Sequence, residues 1–348
     1  MSKIVFVFGA GASADAGGPL MSNFIDKAGR ISHFCDDWEK EYFDIFFKAL
    51  YCLQKVHYKS RLDIDNIESV YGALEMAVLC GHLEGFDNSE LDRLLPAVRM
   101  VIAKTIEGSI SFPNPSDSKP IIPYEEFINS LVSYLNTPTS ISFLTFNYDL
   151  CLEYAFNKYN IKYNYCLDET ITNDEVPLLK LHGSLNWFLK NEGIHKLDLD
   201  IIINNYYNLI PIGNGQSKIH FKHPSRIIHE SDDENISKDP IIVPPSWSKG
   251  EFHKQIQPVW KAAMECLRDA EAIFFIGYSM PESDAFFRYL FALALLEEQV
   301  VVARGIEGRI QVDQIHRFVP DAVAQDVQVV AVEECVHMGS LKIIYIIL

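Results

Sequence analysis

Apolar residues along this chain follow two different periods. Ile4-Val5-Phe6-Val7-Phe8 is an unbroken run of β-branched and aromatic residues, which predicts a strand buried on both faces. Similar runs recur at 141–146, 176–181 and 272–276, with shorter ones at 300–303 and 327–332. Between the first two runs the period changes. Trp38, Tyr42, Ile45, Phe46, Ala49, Leu53 and Val56 recur at helical spacing, with Glu39, Lys40, Asp44 and Lys48 between them. Ile67, Val70, Tyr71, Leu74 and Val78, then Leu91, Leu94, Leu95, Val98, Val101 and Ile102, continue that pattern. Residues 111–123 read as a proline-containing loop, and 124–135 as a further helix. Later helices are predicted at 150–159, 259–268 and 284–296, whereas 190–250 has no period and reads as irregular. The apolar stretch 343–348 is predicted to pair in a sheet or in a subunit interface.

Short apolar strands alternating with helices predict an α/β fold: a doubly wound, Rossmann-like parallel sheet carrying a large helical insertion. The expected organisation is a core at 1–20 plus 137–348, with an irregular insertion at 190–255 and a helical insertion at 21–136. Ligands bind such sheets at the carboxyl ends of the strands. Here four strand ends are polar or glycine-containing: Gly9-Ala10-Gly11-Ala12-Ser13, Asn147-Tyr148-Asp149, His182-Gly183 and Gly277-Tyr278-Ser279. Gly9, Gly11 and Ala14 have the G-x-G-x-x-G/A spacing that sets backbone amides and a helix N-terminus against a pyrophosphate. Taken singly, each feature has a plainer reading. Asn and Asp after a strand serve as helix caps, and Asp15 serves equally as a cap or as a ribose contact.

Charge and cysteine content narrow the chemistry. A formal net charge of −17 argues against broad contact with nucleic-acid backbones, which needs a basic surface. It leaves room for a small anion held by backbone amides. The seven cysteines form no C-x-x-C pair, so neither a zinc ribbon nor any other metal site is assigned. His220, His223 and His229 lack a matching carboxylate or cysteine pattern. Scattered cysteines without a signal peptide predict reduced thiols and a cytoplasmic location. No apolar run approaches the ~20 residues of a membrane span.

At this point the motifs resemble a family. Gly9-Ala10-Gly11-Ala12-Ser13 with Ala16-Gly17 and Pro19 resembles the sirtuin glycine loop, and Thr145-Phe146-Asn147-Tyr148-Asp149 the sirtuin strand-end motif. His182-Gly183 resembles the sirtuin catalytic histidine, and Gly277-Tyr278-Ser279-Met280-Pro281 the late glycine-serine turn. Pro244-Pro245-Ser246-Trp247-Ser248-Lys249 and Trp260 are similar to the bacterial sirtuin-like branch. There are departures too. Leu20-Met21-Ser22 stands where deacylating sirtuins usually carry Asp, Phe and Arg, and Ala303-Arg304-Gly305 where an asparagine usually meets the adenosine ribose. The zinc cysteines are missing.

These departures are typical of sirtuin-like domains that resemble anti-phage effectors, which destroy NAD instead of deacylating protein. The resemblance therefore implies an NAD⁺ glycohydrolase with NAD⁺ as substrate and no metal. Gly9, Ala10, Gly11, Ala12, Ser13, Asp15, Asn147, Asp149, Gly277 and Ser279 would bind the dinucleotide. Asn147, His182 and Asp149 would be catalytic, with His182 as base and Asn147 orienting a water or a ribose hydroxyl. It also implies control by homo-oligomerisation or by a separately encoded partner such as an ATPase, an Argonaute or a nucleotide sensor. A protein deacylase, or a non-catalytic NAD or ADP-ribose sensor, is the alternative.

Overall fold

The computed structural model describes residues 3–113, 123–135, 141–168, 175–191, 193–204, 206–213, 216–221, 223–245, 254–294, 299–306, 309–315 and 341–347. β1 (Ile4–Phe8) leads through two 3-10 turns, Ala10–Ser13 and Met21–Asn23, into a run of helices. These are α1 (Phe24–Ile31), α2 (Asp37–Gln54), α3 (His57–Ser60), α4 (Ile67–Leu79) and α5 (Asn88–Ser109). The short β2 (Phe112–Pro113) and α6 (Pro123–Leu135) precede β3 (Ile141–Thr145), α7 (Cys151–Lys158), β4 (Tyr163–Asn164) and β5 (Val176–Lys180). β6 (Gly183–Lys190), β7 (Gly193–Lys196), α8 (Leu199–Asn204), β8 (Tyr206–Gly213), β9 (Gln216–Phe221), α9 (Pro224–His229) and β10 (Ile236–Ile242) follow. The chain then forms α10 (Gln257–Asp269), β11 (Ala272–Ile276), a 3-10 turn at Glu282–Asp284, α11 (Ala285–Ala294), β12 (Gln299–Ile306), β13 (Arg309–Ile315) and β14 (Leu341–Ile347).

One eight-stranded sheet, ordered β13-β12-β14-β11-β1-β3-β5-β4, organises the molecule. All its pairings are parallel except β12 with β13 at one edge. The fold is therefore the predicted Rossmann-like α/β sheet. Its order reverses at β1, whose neighbours are β3 on one side and β11 on the other. The core begins there, with Phe6 stacked between Phe143 and Phe274 at centroid distances of 5.6 and 5.1 Å. Full burial of a side chain of this size contributes roughly 1.5–3 kcal/mol, which explains the unbroken apolar runs.

The helices between β1 and β3 start where the sequence supplies caps. Asp36 with Glu39 and Asp87 with Glu90 form reciprocal capping boxes at α2 and α5. Asn66 accepts from the amides of Glu68 and Ser69 at the start of α4. Leu91, Leu94, Val98, Val101 and Ile102 give α5 one apolar face, and that helix contacts α1, α2 and α4.

The stretch from 190 to 250 departs from the irregular reading. β6 pairs antiparallel with β7 and β10, and β9 pairs with β8 and β2, giving two three-stranded sheets. The alternation expected of strands is hidden because β6 is buried on both faces over Gly183 to Phe188, polar residues included. Ser184 donates to Asn186 Oδ1 at 2.7 Å, and Asn186 Nδ2 donates to Leu197 O at 3.0 Å, so both are satisfied inside. Residues 343–347 of the apolar C-terminal stretch belong to β14, held between β11 and β12. The run at 327–332 and the Ser246-Trp247-Ser248-Lys249 stretch lie outside the described residues.

Candidate active site

Because the sheet order reverses at β1, the loops after β1, β3 and β11 spread around one crevice, with the end of β5 beside them. Two of these loops lock together through glycine. Gly277 sits at φ +60°, and a Cβ there would lie 2.1 Å from the Ala12 amide nitrogen. A Cβ on Gly9 would lie 2.6 Å from Gly277 O. The Gly9 amide donates to Ile276 O at 3.1 Å, that of Gly11 to Gly277 O at 3.0 Å, and that of Ala12 to Gly9 O at 3.0 Å.

Residues 9–14, expected to cradle a phosphate, use several of their amides inside the fold. Ala10–Ser13 is a single 3-10 turn, and the first α-helix begins only at Phe24. The small residues serve a close approach between two loops, and the amides of Gly9, Gly11 and Ala12 bond inside the fold. Spacing alone does not distinguish that use from phosphate binding.

A buried polar cluster lies beneath. Asn147 Nδ2 donates to Gly9 O at 2.8 Å, to Ser13 Oγ at 3.0 Å and to Tyr124 Oη at 3.3 Å. Ser13 Oγ donates to Asp149 Oδ2 at 2.7 Å. Asp149 Oδ1 accepts from the Cys151 amide at 3.0 Å, tying this cluster to the start of α7. Burial, and then the Asp149 carboxylate, push the Tyr124 hydroxyl well above its ordinary range, so it stays a neutral donor at physiological pH. The asparagine side chain bonds through Nδ2 to three partners, which leaves Oδ1 as its acceptor for a ligand hydroxyl or water.

Beneath the same loop Lys180 is fully buried. Its Nζ lies 2.7 Å from Glu153 Oε1 and also donates to the carbonyls of Tyr148 and Asp149. Burial raises the Glu153 carboxyl against the opposing pull of Lys180.

His182 is delivered by a tight turn. Gly183 has φ +85°, and a Cβ there would lie 2.1 Å from Ile241 O. The chain therefore passes straight from β5 into β6 at a position only glycine fits. The Val243 amide donates to His182 O at 2.7 Å, and Trp260 Nε1 to Leu181 O at 3.1 Å. The imidazole stands edge-on to Phe146, with centroids 5.0 Å apart. Its Nε2 lies 3.3 Å from Asp284 Oδ1, while Asp284 Oδ2 accepts from the Tyr278 hydroxyl at 2.8 Å. Tyr278 in turn stacks flat on Phe146 at 4.2 Å. Burial and then the Asp284 carboxylate push the Tyr278 hydroxyl well up.

Ser13, Phe146, Asn147, Asp149, His182, Tyr278 and Asp284 line a cavity of about 500 Å³, within the usual range for small-molecule sites. Of the predicted residues, Ala10, Gly11, Ser13, Asn147, Asp149, His182, Gly277 and Ser279 line it. Gly9 and Ala12 are not among the lining residues, and Asp15 is exposed outside it. The opposite wall comes from the helices: Phe24 of α1, Ile67 and Glu68 of α4, Ile102 and Ile106 of α5. Glu68, Asp149 and Asp284 contribute carboxyl groups, and among the described residues no Lys or Arg lines the cavity. The sequence reading missed Tyr124, Glu68 and Asp284. Of these only Asp284 left a signal, as an acidic residue shortly after the Gly277 turn. Among the described residues no group of three or more His, Cys, Asp or Glu could hold a metal ion, and no helix is long and apolar enough to cross a membrane.

Comparison with known proteins bears on this site. Residues 141–300, which carry Asn147, His182 and Gly277, match the family model of the SIR2-like domain. The chain thus carries a sirtuin-like domain. No curated protein matches it. Among solved structures, Sir2Tm bound to a propionylated peptide is 13% identical, with a TM-score of 0.29 over 86% of this chain and 80% of that one. A Sir2 homolog–NAD complex is 12% identical, with a TM-score of 0.28 over 84% of this chain and 74% of that one. A structure on the basis of sirtuin substrate affinity is 14% identical, with a TM-score of 0.33 over 86% and 80%.

Proposed function

We propose that this chain is an NAD⁺ glycohydrolase, cleaving the nicotinamide–ribose bond to release nicotinamide and ADP-ribose or its cyclised form. The observation that carries this reading is the lining of the cavity. Asn147 and His182 meet there among the carboxyl groups of Glu68, Asp149 and Asp284, and no Lys or Arg lines it among the described residues. A pocket with three carboxyl groups in its described lining favours a ligand whose reacting end is positive, as the pyridinium of NAD⁺ is. The SIR2-like match over the same residues supports NAD as the ligand.

The chemistry asks little of the protein. The pyridinium leaves as neutral nicotinamide, so no strong acid is needed. What the site supplies is position and charge: acidic groups near an oxocarbenium-like ribose, and a base for the nucleophile. Asn147 Oδ1 orients a water or a ribose hydroxyl, and His182 accepts its proton. Asp149 acts through Ser13 and the start of α7 to hold Asn147 in place. Ala10, Gly11, Ser13, Gly277 and Ser279 form the wall beside the dinucleotide. The hydrolytic reading is preferred over deacylation because the helices set Ile67, Ile102 and Ile106 against the cavity, while Leu20, Met21 and Ser22 also line it.

An enzyme that consumes NAD needs restraint, so we propose that activity is gated by self-association or by a partner protein, as in a defence effector. Incubating the purified chain with NAD⁺ and no acylated peptide tests the reaction. Nicotinamide release is expected, and Asn147→Ala or His182→Ala should lower it by roughly 10²–10⁴-fold, the range a positioned group supplies. NAD loss that requires an acyl-lysine peptide would favour the deacylase. Wild-type turnover matched by both variants would overturn the site assignment.

A further inference from the structure

Asp284 is a buried carboxylate in contact with His182, and it comes from a different strand end. It is 5% exposed, in the 3-10 turn Glu282–Asp284 that follows β11, and its Oδ1 lies 3.3 Å from His182 Nε2. Its other oxygen is fixed by the Tyr278 hydroxyl at 2.8 Å. Tyr278 is itself clamped flat against Phe146, the residue preceding Asn147. One aromatic stack therefore ties the carboxylate to both the histidine and the asparagine loop. Buried carboxylates that touch only one side of an imidazole fix its tautomer and its ring angle.

We infer that Asp284 is the positioning residue for His182: it accepts from Nε2–H, places the lone pair on Nδ1, and stabilises the imidazolium formed during turnover. This rests on the glycohydrolase reading for its chemistry. In that step Nδ1 takes a proton from the attacking water as its oxygen bonds to the anomeric carbon. The ribose–nitrogen bond breaks, its electron pair neutralises the pyridinium, and the net products are nicotinamide, ADP-ribose and one proton. Tyr278 fixes the carboxylate so that it cannot rotate away when the imidazole becomes charged.

Asp284→Asn keeps the shape and removes the charge. It is expected to lower kcat for nicotinamide release by roughly 10²–10⁴-fold while KM for NAD⁺ stays within a few-fold. Tyr278→Phe, which keeps the stack and the carboxylate, should lower kcat far less. A structural readout runs beside the kinetics: ¹⁵N-histidine spectra of the full chain should report protonation at Nε2 in the wild type and a mixture of tautomers in Asp284→Asn. Unchanged kcat, or an unchanged His182 tautomer signal in a folded Asp284→Asn protein, overturns the inference. If the wild type releases no nicotinamide, the proposed reaction fails, and the nitrogen spectra still decide whether Asp284 orients His182.

Discussion

At the scale of single residues, the site depends on a few positions that tolerate nothing larger. Gly277→Ala would place a methyl group 2.1 Å from the Ala12 nitrogen at a backbone angle of φ +60°. The left-handed conformation costs an alanine roughly 1–2 kcal/mol, and overpacking adds about 1–3 kcal/mol. We expect this variant to lose on the order of 2–5 kcal/mol, read as a lower urea midpoint with an unchanged slope. A midpoint equal to the wild type would show that the two loops are not locked. Asn147, His182 and Gly277 were legible in the sequence because each ends an apolar run, where the fold must present polar atoms. Tyr124, Ser13 and Asp284 were not legible as a set. Ser13 meets Tyr124 and Asp149 only because the sheet brings together positions separated by 111 and 136 residues, and no local period records that. Lys180 interrupts the apolar run at 176–181, yet it is fully buried, paired with Glu153 from α7.

At the scale of elements, the helices inserted between β1 and β3 are part of the site. Their period and caps made α2, α4 and α5 readable, but nothing in those patterns says which face meets the sheet. α4 answers this by turning Ile67 and Glu68, in its first turn after the Asn66 cap, to the cavity. Among the described residues Glu68 is the only acidic group the insertion contributes to the lining. Glu68→Gln should weaken binding of NAD⁺ by about fivefold, on the order of 1 kcal/mol for a partly exposed charge. Binding of ADP-ribose, which lacks the pyridinium, should change little. Calorimetric titration of both ligands into a His182→Ala background, where turnover is removed, makes the comparison. Equal effects on the two ligands would place Glu68 away from the positive ring. β6 was hidden for the opposite reason: it buries polar residues on internal hydrogen bonds, which erases its alternation.

At the scale of the molecule, the sheet is completed by a strand from the far end of the sequence. β14 pairs in parallel with β11, from Ala272↔Ile343 to Ile276↔Ile347, and on its other side with β12, from Gln299↔Leu341 to Gly305↔Ile347. The apolar composition of 343–348 had predicted pairing in a sheet or in a subunit interface, and the ladder on both sides assigns this backbone to the sheet. It follows that β11, which ends in the Gly277 turn, is an interior strand only while β14 is in place. A chain ending at residue 340 would expose the β11 edge as a row of unpaired amides and carbonyls and would cut the β12–β13 hairpin loose. These pairings join strands that are not adjacent in the sequence, from Ala272↔Ile343 and Gln299↔Leu341 onward, and loop-closure entropy slows such parallel pairing. We therefore expect the shortened chain to accumulate as aggregate, and any soluble fraction to unfold at lower temperature with reduced cooperativity in circular dichroism. Charged substitutions confined to exposed α2 positions such as Glu41 or Asp44 should leave that transition unchanged. A shortened chain that stays soluble, melts as the full chain does and still binds ADP-ribose would mean that the Gly277 turn is held by β1 alone, through the Gly9 and Gly11 hydrogen bonds.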